Sequence, residues 1–244
     1  MFFDIQNASM LKRISAWILD MILVAICATG FGYFISVGVG YDANYDKLEQ
    51  KYDYYSDEYG IDLRKISQLD GSDTELLEKY KAASAAMDND EELKKQYAYV
   101  VNLTLVILAG GILLGIAVVE FIIPLILKDG RTPGKMIFSL CLIQNDQTKI
   151  KPVFLAVRAF LGIYTIETMV PVLIVVMLLF NTIGVAGTVT ICLLLLLQII
   201  LLAKTKNNLA IHDALAGTVV VDAKSQKIFD SPEAKEEYRK QYNQ

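Results

Sequence analysis

Two glutamates in this sequence each stand four residues ahead of a proline, in Glu120-Phe121-Ile122-Ile123-Pro124 and in Glu167-Thr168-Met169-Val170-Pro171. In a helix, proline cannot donate to the carbonyl four residues back, and its ring pushes against that carbonyl. The carbonyls released at Pro124 and Pro171 belong to Glu120 and Glu167 themselves. Each site therefore offers a carboxylate and a loosened backbone oxygen at nearly one point. Hard cations such as sodium take oxygen ligands of this kind, and a carboxylate in low dielectric can exchange a proton for one. The bland alternative is two kinked helices whose glutamates are neutral or hydrogen-bonded to Thr165, Thr168, Asn102 or Gln198.

A third carboxylate, Asp20, follows Arg13 by seven residues. Two helical turns put both on one face but roughly 10 Å apart, too far for an ion pair within the helix. Asp20 must then find a donor elsewhere, and Arg158 lies at a comparable depth on a later apolar run. An Asp20–Arg158 pair is the expectation, either as part of an ion pathway or as a salt bridge that fixes two helices; Arg13 would snorkel to lipid headgroups. Glu120 and Glu167 differ in depth by on the order of 10 Å, which suits stations on one path better than ligands of one ion.

The elements that must hold these groups are membrane spans. Of the 244 residues 54% are apolar, and the segment from Tyr41 to Gln96 is polar and acidic, so the remainder is more apolar still. Apolar runs at 14–38, 97–127, 153–180 and 182–203 each suffice to cross a hydrocarbon core of roughly 30 Å. The first is too long for a cleaved signal peptide. Lys12 and Arg13, then Lys128, Arg131, Lys135, Lys149 and Lys151, then Lys204 and Lys206 flank the spans on one side, which the positive-inside rule makes cytoplasmic. The expected fold is an all-α integral membrane protein, a four-transmembrane-helix bundle with an extracytoplasmic helical hairpin and a small cytoplasmic β element. Its divisions are 1–40 (N-terminus and first span), 41–96 (outer acidic insertion), 97–127 (second span), 128–152 (loop), 153–181 and 182–203 (third and fourth spans) and 204–244 (C-terminal segment). Both termini are then cytoplasmic and the protein resides in the cell membrane.

In the insertion, Asp73 can cap a helix through Ala83, and a second amphipathic stretch from Asp90 runs into the second span. Eight of the thirteen tyrosines lie between Tyr41 and Tyr97. They read either as a partner-binding or cation-gathering cap, or as a solvated spacer with an interfacial aromatic belt. Gly111 and Gly115 have the small-xxx-small spacing of close helix packing, within a bundle or between copies. Residues 136–143 and 218–222 have strand composition, with Asn145-Asp146 as a turn. His212-Asp213 can cap a short helix or face Arg131 and Lys135. The Gly130 to Lys135 loop lacks the spacing of a phosphate-binding loop, which argues against a nucleotide. Three scattered cysteines and a single histidine indicate neither a zinc site nor a multi-histidine metal site, no cofactor is expected, and no nucleophile has a base beside it, so no enzyme is expected.

Three stretches resemble the RDD family of small membrane proteins. They are Leu11 to Asp20, Gly130-Arg131-Thr132-Pro133-Gly134-Lys135 with the residues to Ile143, and Ala210-Ile211-His212-Asp213 continuing to Val221. On that resemblance Arg13, Asp20 and Asp213 are the arginine and two aspartates of the family's name. The resemblance implies transport, with sodium/proton antiport proposed for some members. Two functions follow as expectations. One is a small transporter exchanging Na+ for H+ through Asp20, Glu120 and Glu167. The other is a non-transporting module that binds a protein through residues 41–96, its buried charges serving helix packing. The expected partners are the lipid bilayer, a small cation and a further copy of the chain, with no nucleic acid and no nucleotide.

Overall fold

The computed structural model describes residues 5–64, 73–127, 129–160, 174, 177, 185–205 and 207–242. Helix α1 spans Met10–Gly38, α2 Tyr41–Tyr59, α3 Thr74–Asn89 and α4 Glu91–Ile116. A π-helical turn at Ala117–Ile122 joins α4 to α5, Ile123–Leu127. The short α6 (Pro133–Ile137), strand β1 (Leu140–Gln144) and α7 (Pro152–Val157) follow. After them come α8 (Val185–Lys204), α9 (Ile211–Ala216), β2 (Thr218–Asp222) and α10 (Pro232–Tyr242). Three helices among the described residues are long and apolar enough to cross a membrane: Met10–Gly38, Glu91–Leu127 and Gly187–Lys204. Most of the third expected span, with Glu167 and Pro171, lies outside the described residues.

Contacts divide the chain into two units, Gly32–Leu108 and the combination of Met1–Phe31 with Ala109–Gln244. In the first, Leu48, Leu93 and Val100 form a core with Tyr41, Tyr52, Tyr55 and Met87 packed on it. The tyrosine-rich stretch is thus an amphipathic helix of its own, with part of its aromatic face inside the unit. Gly60, at φ 61°, ends α2 by donating to the Asp57 carbonyl. Asp73 caps α3 through Leu76 N–H as expected, and Asp90 caps α4 by accepting from the N–H groups of Glu92 and Leu93 at 2.8 and 2.9 Å.

In the second unit, β1 and β2 pair antiparallel from Leu140↔Asp222 to Gln144↔Thr218. Leu140, Leu142 and Val220 pack on one face with Ala8, Ala16 and Leu155. Cys141, Ile143, Val219 and Val221 pack on the other. Both faces are covered, which explains strands that read as unbroken apolar runs. The first strand begins at Leu140 and not at 136, because Thr132 caps and Pro133 starts the α6 turn through Ile137. The expected turn is present, with Asp146 accepting from Thr148 N–H and Gln147 at φ 69°. α1 meets the end of α4 and the π-helical turn through Val24, Ile116 and Val119. At Gly115 an added Cβ would lie 2.8 Å from the Val24 carbonyl oxygen, so the glycine sets this close approach.

Candidate functional site

Asp20 lies three turns into α1 and is 1% exposed. Its carboxylate accepts from Thr132 Oγ1 at 2.5 Å and from Gly134 N–H at 2.7 Å. Both donors sit at the start of α6, where N–H groups have no partner within the helix and the helix dipole favours an anion. Gly134 is required by the approach: a Cβ there would stand 2.2 Å from the Ala16 carbonyl oxygen and 2.8 Å from the Asp20 carboxyl carbon. Asp20 therefore does not pair with Arg158. The physical reason is that a buried carboxylate needs hydrogen-bond donors, and the loop that folds back onto α1 supplies neutral ones.

Arg158 is committed to Asp213 instead. Its Nη1 donates to Asp213 Oδ1, and its Nη2 lies 2.7 Å from His212 Nε2. Arg13 donates from Nη2 to Asp213 Oδ2 at 3.3 Å and from Nη1 to the Asn208 carbonyl at 2.5 Å. The Arg13 side chain is 11% exposed and turned inward, so it is no headgroup anchor. Thr218 Oγ1 and Ala210 N–H also donate to Asp213, at 3.2 and 3.4 Å, the latter closing the first turn of α9. Asp213 is fully buried. Burial alone would push its carboxyl up, but Arg158, with His212 and Arg13, outweighs it and holds the pKa at about 2. The capping role expected of Asp213 is present, while Arg131 pairs locally with Asp129 and takes no part.

Glu120 lies inside the π-helical turn upstream of Pro124. Here Ile123 N–H reaches back five residues to the Val118 carbonyl, a wide turn of a kind that recurs at functional sites. Residues 158–160 also have π conformation, which places Arg158 at a comparable irregularity. Lys135 Nζ stands 3.5 Å from Glu120 Oε2, with side-chain exposures of 11% and 10%. Helix α6 thus serves two spans at once, giving an N–H to Asp20 and an ammonium to Glu120.

Asp20, Glu120 and Asp213 all line one cavity of about 550 Å³, together with Arg13, Lys135, Arg158 and His212. Gln198 also lines it but accepts from Ile211 N–H at 3.0 Å and makes no bond to Glu120. Among the described residues of the lining, the three carboxylates Asp20, Glu120 and Asp213 face the three cations Arg13, Lys135 and Arg158. The hydrogen bonds are unequally shared. Asp213 accepts from three side chains and a backbone amide and Asp20 from two donors, whereas Glu120 has, among the described residues, the single long contact with Lys135. Among those residues no group of three or more His, Cys, Asp or Glu is arranged to hold a metal ion.

Sequence reasoning named Arg13, Asp20, Glu120, Arg158 and Asp213, and the structure brings all five to this cavity. It missed Lys135 as the partner of Glu120, and Thr132 and Gly134 as the donors that hold Asp20. The signal was present in Thr132-Pro133, a helix start, but the loop was weighed as a phosphate binder, as flanking charge and as a neighbour of His212-Asp213, and not as a donor to Asp20 or Glu120. A family model described as the RDD family matches residues 7–217, a range that encloses every charged residue of the cavity. No curated protein and no solved structure matches the chain. With that match covering most of its length, and with helices that suit several membrane crossings, the chain belongs to the RDD family and is a multi-pass membrane protein.

Proposed function

We propose that this protein is a small transporter that exchanges a monovalent cation for protons, with Glu120 as the group that changes partner. The observation that carries this reading is the Glu120–Lys135 contact, 3.5 Å long on the wall of a 550 Å³ cavity. Lys135 acts as a tethered cation beside the cavity carboxylate that has the fewest hydrogen-bond partners among the described residues. A cation or proton that takes the ammonium's place on Glu120 releases the Lys135 charge, which its flexible stem must carry to solvent or to another anion for the exchange to turn over. Asp20, held by Thr132 and Gly134, fixes α6 and so sets how far Lys135 can swing. Asp213 with Arg13 and Arg158 braces the rest of the charged lining. Four crossings, both termini in the cytoplasm and residence in the cell membrane complete the proposal, supported by the lysines and arginines that flank the spans.

The test is cation-driven pH change in vesicles containing the purified protein. Sodium or potassium gradients are expected to move protons, and Glu120→Gln to slow that movement at least tenfold while the fold is kept. If dense reconstitution moves no sodium, potassium or proton, exchange is wrong.

A further inference from the structure

The cavity is far larger than a bare cation and its oxygen ligands require. Its 550 Å³ fall in the range of sites for drug-sized molecules, and much of its wall is apolar, including Trp17, Met21, Leu194 and Leu195. These residues come from α1 and α8, two of the membrane-crossing helices, and they reach the surface: Trp17 is 60% exposed and Leu195 53%. An exposed side chain within the apolar length of such a helix faces lipid, so the cavity has an apolar flank open to the bilayer. At the polar end, the carboxylate with the fewest partners among the described residues is Glu120. The arginines and His212 are turned onto Asp213, which leaves, among the described residues, no uncommitted arginine to receive an anionic head. Trp17 adds an aromatic face, the best side-chain partner for a bulky cation.

We infer that the cavity takes a lipophilic organic cation from the bilayer, its apolar body against Trp17 and the α8 leucines and its charge beside Glu120 in place of the Lys135 ammonium. The assignment rests on the exchange reading for its role in transport, and on the cavity alone for binding. It names the cation as an organic one.

Trp17 is the sole tryptophan and therefore a built-in reporter. The full chain in lipid nanodiscs is titrated with tetraphenylphosphonium, and Trp17 emission is followed. The expected result is a saturable change that weakens at least tenfold in Glu120→Gln, while tetraphenylborate, of the same shape and opposite charge, gives no Glu120-dependent signal. Thermal unfolding checks that the variant is folded; if it is not, Leu194→Phe, which narrows the cavity and leaves every charge in place, is judged by the same tenfold criterion. An unsaturable signal, or equal binding in the folded variant, overturns the assignment. Sodium-driven proton movement without a Glu120-dependent phosphonium site would leave exchange standing and sink this inference. A saturable site without exchange of any cation would do the reverse.

Discussion

Asp213 accepts hydrogen bonds from two arginines, Thr218 and a backbone amide while fully buried, so its charge is bound up with the fold. Its pKa is lowered from 3.8 to about 2. A depressed folded-state value means stability that is fully present above the ordinary carboxylate pKa and is lost as pH falls through the folded one. The window is therefore about pH 4 down to about pH 2, and the loss amounts to about 2 kcal/mol. Unfolding free energy measured by denaturant in micelles should decline across that window in the parent protein. In Asp213→Asn this component should be absent. That variant should also be less stable at neutral pH, by about 3 kcal/mol, since Arg13 and Arg158 are left without their shared anion. A parent and variant with parallel acid profiles would show that Asp213 is not the group responsible. Cys141 behaves in the opposite sense: burial pushes its thiol up to about 11, in keeping with its place inside the sheet core.

At the scale of elements, α6 is five residues long yet reaches two carboxylates, one through a backbone amide and one through a side chain. Its position depends on Gly134, because the Ala16 carbonyl would stand 2.2 Å from any Cβ there. Gly134→Ala is expected to lift α6 from α1, costing about 3 kcal/mol from the clash and from the lost donor to a buried carboxylate. Thermal unfolding in detergent would register the cost. Proton movement in vesicles should fall with it, because Lys135 moves together with Gly134. An alanine variant as stable and as active as the parent would mean that α6 does not hold Asp20. The π-helical turn at Ala117–Ile122 belongs to the same scale, since it sets which side of α4 and α5 presents Glu120.

For the whole molecule, the charged groups that line the cavity among the described residues all lie in the unit formed by Met1–Phe31 and Ala109–Gln244. If the cavity carries the activity, the insertion is dispensable for it. Excising 45–95 and joining the ends with a short flexible linker should leave the Glu120-dependent Trp17 signal and the proton movement within about threefold of the parent. If the protein instead acts by binding a partner through its outer segment, the same deletion abolishes function while Trp17 still reports an intact cavity. The two readings thus part on one deletion and two readouts.

Composition alone determined that this chain enters a membrane, because apolar runs of sufficient length leave few alternatives once backbone groups must be satisfied internally. Local chemistry likewise determined the Asp73 and Asp213 caps, the β1–β2 strands and the irregular turn at Pro124, since each depends on residues close in sequence or on strand composition. Which charges meet was decided by the tertiary structure. Thr132 and Asp20 are 112 residues apart, and Arg13 and Asp213 are 200 apart. A buried carboxylate accepts an amide, a hydroxyl or a cation alike, so residue type does not choose among distant donors. The rotation of α1 and the return of the 128–152 loop made that choice, giving Asp20 to α6, Arg158 to Asp213, and leaving Glu120 with Lys135.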